Sequence, residues 1–117
     1  MSITYVNLED EYKVQTDNED ISISVAIGDG QSGAYVIFLG KELKGTNALA
    51  SLGKKQNVVG ENALIAVTIA DTLEQTNWTS IAVNIKEGEI STPYGPYKKQ
   101  APQHLDTVIY TLKIHFA

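Results

Sequence analysis

The chain has 117 residues, no cysteine, and nine lysines against fourteen carboxylates, giving a net charge of −5 without a single arginine. That length gives one ordinary domain, residues 1–117, with a core that needs no cross-links. The absent cysteines exclude disulfides, thiolate zinc sites and a cysteine nucleophile. An acidic chain lacking the guanidinium fork is a poor partner for nucleic acid, whose binding requires a positive footprint.

The start, Met1-Ser2-Ile3-Thr4, runs straight to Glu9-Asp10-Glu11 with no basic segment followed by an apolar run. No secretory signal is therefore visible, and a cytoplasmic location is the default reading. The most apolar stretches, 34–39 and 63–70, fall far short of the roughly 20 residues of a membrane-crossing helix. The chain reads as a soluble domain with no membrane partner.

Taken in order, residues 3–8 and 12–14 are short strand candidates separated by the acidic 9–11. Residues 21–27 alternate large apolar with small or polar side chains, which turns Ile21, Ile23, Val25 and Ile27 to one buried face. The turn-rich Gly28-Asp29-Gly30-Gln31-Ser32-Gly33 leads to 34–39, apolar on both faces and hence central, and the two strands read as a hairpin. Residues 46–53 read as a short helix started by Thr46 or Asn47 and stopped by Gly53, or as a loop.

Residues 63–70 turn Ile65, Val67 and Ile69 inward, and 78–86 turn Ile81, Val83 and Ile85 inward, a second expected hairpin. Residues 91–104 hold all three prolines and read as a long loop or irregular crossover. The closing strand, 107–116, buries Val108, Tyr110, Leu112, Ile114 and Phe116; central or edge placement is equally open to it. About seven strands and no long helix specify an all-β, antiparallel β-sandwich, immunoglobulin-like or a short jelly roll.

The best candidate binding residues lie at 92–99, where Tyr94, Tyr97, Lys98 and Lys99 sit among prolines that stiffen the backbone. The competing reading folds the two rings back to plug the sandwich. Trp78 is expected to close the core, and Asn77-Trp78-Thr79 matches the short glycosylation acceptor pattern. His104 and His115 have no histidine partner at ligand spacing, and the acids at 17–20 and at Asp29 do not follow a calcium-loop pattern, so no metal site and no cofactor are expected.

Catalytic motifs are missing too. Gly28-Asp29-Gly30-Gln31-Ser32-Gly33 fits Gly-x-Gly-x-x-Gly but precedes a strand where a dinucleotide site requires a helix. No Gly-x-Ser-x-Gly elbow exists, and Glu87 and Glu89 read as acids that solubilise a turn. These residues point to a non-enzymatic module whose partner is another protein or its own copies, a homo-oligomer being one of the two options. The alternative is a carbohydrate-binding module that uses Tyr94 and Tyr97, with a structural calcium as an optional addition.

Overall fold

The computed structural model describes residues 2–117. Nine strands form two sheets: β1 (Ile3–Tyr12), β2 (Ile21–Ile27), β3 (Gly33–Leu39), β4 (Glu42–Thr46), β5 (Ala50–Gly53), β6 (Asn62–Ala70), β7 (Trp78–Glu87), β8 (Ile90–Gln100) and β9 (Thr107–Phe116). One helical turn, α1 (Lys55–Val58), precedes β6. The five-stranded sheet runs β1-β9-β6-β3-β4 and the four-stranded sheet β5-β2-β7-β8. This is an all-β sandwich, and none of its helices is long and apolar enough to cross a membrane.

Alternation sets the core. Ile21 and Ile23 of β2, Ile65, Val67 and Ile69 of β6, Ile81, Val83 and Ile85 of β7, and all five inward residues of β9 are buried between the sheets. Val25 and Ile27 pack against them from a half-buried position. Burying a side chain of this size contributes on the order of 1.5–3 kcal/mol by removing its apolar surface from water.

The pairing differs from the expected hairpins. β2 and β3 lie in different sheets, as do β6 and β7, so the connections at 28–32 and 71–77 are arches across the sandwich. β2 pairs with β7 and β3 with β6, both antiparallel. These pairs nest around the β4–β5 bend, as in a jelly roll; an immunoglobulin sandwich would bring the partner of β2 earlier in the chain than that of β3. In both pairs, apolar rows on the two strands meet in register without a tight turn to join them.

Three more expectations are corrected. Residues 46–53 are neither helix nor plain loop: they end β4, turn at Asn47 (φ 52°) and form β5. The acids Glu9-Asp10-Glu11 do not interrupt β1, because at a sheet edge their side chains stay in water. Residues 91–100 form most of β8, a ladder strand paired with β7. β8 lies at a sheet edge, where missing proline N–H groups cost little, and the register shifts opposite Ile81–Val83.

Candidate functional site

β9 is not an edge strand: β6 pairs with it on one side and β1 on the other. The β1–β9 ladder is parallel and unbroken from Ile3↔Thr107 to Tyr12↔Phe116. The four sheet edges are therefore β1, β4, β5 and β8. Three of them are poor templates for a further strand. β4 has five residues, carries Glu42 and Lys44, and shifts register against β3; β5 has four; β8 carries Pro93 and Pro96 and an irregular register.

β1 differs in length and composition, with ten residues and no charge from Ile3 to Leu8. Its backbone polarity follows from its ends. The Ser2 carbonyl accepts from the Thr107 N–H at 3.1 Å, and the Tyr12 carbonyl from the Ala117 N–H at 2.9 Å. Even-numbered residues thus turn their backbone groups to β9. Odd-numbered ones, Ile3, Tyr5, Asn7, Glu9 and Glu11, turn theirs outward.

At Glu11 these outward groups are already used. Its N–H donates to the Asp10 carboxylate at 2.8 Å, and its carbonyl accepts from the Tyr94 hydroxyl at 2.9 Å. β8 therefore reaches over the last turn of the edge and closes it. Among the described residues, the outward backbone donors and acceptors of Ile3, Tyr5 and Asn7 meet no partner, and Ile3 and Tyr5 are 52% and 65% exposed. Tyr5 is level with Ile109 and Thr68 on the outer sheet face.

β1 is firmly held at both ends. At one end, the buried Asp106 carboxylate accepts from the Ser2 N–H (2.8 Å) and hydroxyl (2.9 Å) and from the Gln103 N–H (3.1 Å). The Ser2 donors, outweighing the effect of burial, hold Asp106 below the usual aspartate value. At the other end, the fully buried Glu87 accepts from the Tyr12 hydroxyl at 2.7 Å, from the Gln15 N–H, and from the Thr16 N–H and hydroxyl. Burial pushes the Glu87 acid upward, but the Thr16 and Tyr12 donors win and leave it below its ordinary value.

The expected turn acid Glu87 is thus a core clamp, and the sequence held the signal: it shares the inward parity of Ile81, Val83 and Ile85. Asp71 continues the inward series of Ile65, Val67 and Ile69 in the same way; it is fully buried and accepts from Gln31 Nε2 at 2.7 Å. Trp78 has the opposite parity. It is 44% exposed, at the start of β7, and does not close the core.

Tyr94 and Tyr97 lie opposite Val83 and Ile81. Three residues apart, they would face opposite sides of a regular strand; the register shift absorbs one residue and turns both rings to the core. Burial, reinforced by Asp10, raises both phenols, Tyr94 to about 12. Lys98 pairs with Asp29 at 3.6 Å, and Lys99 is exposed. Lys98 faces away from Tyr97, while Lys99 shares the parity of Tyr97, opposite Thr79, but stays exposed, so the four residues form no common surface.

His115 meets Asn62 at 2.8 Å, in a shallow depression of about 300 Å³ shared with Glu9, Asp10 and Lys113. Among the described residues, no three histidine or acidic side chains cluster to hold a metal. No family model, no curated protein and no solved structure matches this chain.

Proposed function

We propose that the protein is a non-enzymatic interaction module that takes up a partner's β-strand along β1. The observation that supports this is the uncharged Ile3–Leu8 edge, whose odd-numbered backbone groups are unpaired while the other three edges are short, irregular or proline-bearing. Strand addition supplies main-chain hydrogen bonds for affinity and alternate side chains for choice of partner. The clamps at Ser2 and Tyr12 keep the template straight, so little ordering is needed on binding.

A photo-crosslinking amino acid in place of Tyr5, tested in the cells that make the protein, is expected to give a discrete adduct. The same group at the exposed Gln56 is the control. Equal yields at the two positions overturn the reading.

The carbohydrate-binding alternative is less well supported. A sugar platform needs exposed ring faces, and Tyr94 and Tyr97 direct theirs at the core. Loss of binding to immobilised polysaccharide in Tyr94→Ala and Tyr97→Ala would restore it.

A further inference from the structure

We infer that the strand taken up by β1 is the β1 of a second copy, antiparallel across a two-fold axis at Tyr5. This rests on the strand-adding reading and names its partner.

The register follows from three observations. First, the free backbone groups belong to odd-numbered residues, so only a ladder that sets odd residues opposite odd residues lets both strands use them. Second, a two-fold axis at Tyr5 sets Tyr5 against Tyr5 and each Ile3 against Asn7, and so engages all three uncharged residues with free groups on both chains. Third, each other register either brings the acids into the ladder or loses a pair. An axis at Val6 sets Ile3 against the charged Glu9, and an axis at Asn7 sets Ile3 against Glu11, whose N–H and carbonyl are already taken by Asp10 and Tyr94. An axis at residues 9–11 stacks the acids on one another, and an axis at Thr4 leaves Asn7 beyond the partner's strand.

With the axis at Tyr5 the acids fall outside the ladder at its two ends. They act there as stops that fix how far the strands overlap. The outcome is one continuous ten-stranded sheet built from two five-stranded ones, with Tyr5 beside its own copy on the outer face. A heterologous strand would need its own uncharged run of the same length; this chain carries a self-complementary one.

Five paired residues form a small interface, so the dimer is expected to be weak, with a dissociation constant of the order of micromolar to millimolar. Light-scattering mass of the intact chain, from about 1 μM to about 1 mM, is expected to rise from one chain to two, and to do so at lower concentration as salt screens the −5 charge on each copy. Tyr5→Asp places like charges on the axis at an exposed position and is expected to stay at one chain mass with an unchanged melting temperature.

The cysteine-free chain allows a second readout. Residues opposite one another in a hydrogen-bonded antiparallel pair have Cα atoms about 5.5 Å apart, inside the disulfide range. Tyr5→Cys is expected to cross-link rapidly on mild oxidation, and Asn7→Cys, opposite Ile3, slowly. A single-chain mass throughout, dimerisation of Tyr5→Asp, or equal cross-linking at positions 5 and 7 would each overturn the inference. A single-chain mass together with a cellular cross-link from position 5 to another protein removes the second copy as partner and leaves the strand-adding reading standing.

Discussion

The Tyr12 hydroxyl donates a 2.7 Å hydrogen bond to the Glu87 carboxylate, joining the end of β1 in one sheet to the end of β7 in the other. Tyr12 also packs on Phe116, with ring centroids 5.7 Å apart. Glu87 accepts from Gln15 and Thr16 as well, so a single carboxylate organises the whole crossover between β1 and β2. Removing the charge while keeping the shape, in Glu87→Gln, trades an acceptor-only group for an amide that brings surplus donors into a buried site. The expected cost is about 2–4 kcal/mol, with about 1–2 kcal/mol for Tyr12→Phe, both read from urea unfolding. If the two variants add in the double mutant without coupling, the contact is not the clamp described.

Acid should loosen the protein through these same carboxylates. Folded Glu87 titrates below the 4.5 of an ordinary glutamate and Asp106 below the 3.8 of an ordinary aspartate. As pH falls, the unfolded chain takes up these protons first, so the stabilisation is complete above those values and is lost as pH drops through the lower folded ones. Urea midpoints measured from pH 6 to pH 2 should fall in this window, and Glu87→Gln should flatten part of the drop.

Alkali acts through the phenols. Tyr12, Tyr94, Tyr97 and Tyr110 are all raised above 10, burial being the largest cause in each, with Tyr94 at about 12. The unfolded chain releases these protons near 10 and the folded chain only at higher pH, so stability is fully present below 10 and declines as pH rises toward the folded values. Tyrosinate absorbance should show these four ionising late, together with loss of the β-sheet circular dichroism signal. Ionisation of all four near pH 10 with the sheets intact would contradict the burial described.

Gly33, at the start of β3, has no room for a side chain: a Cβ there would overlap the backbone carbonyl oxygen of Thr68 on β6. A backbone atom in a paired strand cannot swing aside, so Gly33→Ala is expected to cost about 1–3 kcal/mol in thermal or urea unfolding. Gly60 is the contrast. With φ +87° and nothing within 4 Å of the added atom, Gly60→Ala carries only backbone strain, about 1–2 kcal/mol.

Much of the interior was legible in the order of residues. Alternation in 21–27, 63–70, 78–86 and 107–116 marks the strands and the inward set, and the same parity extends to Glu87 and Asp71, where the polar side chain hid the signal. The ladder formed by β8 was not legible, because proline forbids only a central position and edge status is a property of the assembled sheet. Tyr94 and Tyr97 could not be oriented either, since a single register shift decides the face each ring takes.

The sequence by itself determined that 21–27, 63–70, 78–86 and 107–116 are extended and which face of each turns from water, since a side chain's direction in a strand is a local, two-residue property. Only the tertiary structure decided that β2 joins β7, that β3 joins β6, and that β1 lies parallel to β9 and leaves Ile3, Tyr5 and Asn7 at an open edge. Those pairings are made by backbone groups that every residue carries alike, so no side-chain pattern names the partner. They are fixed when the apolar faces of distant strands close on one another and bring their ladders into register.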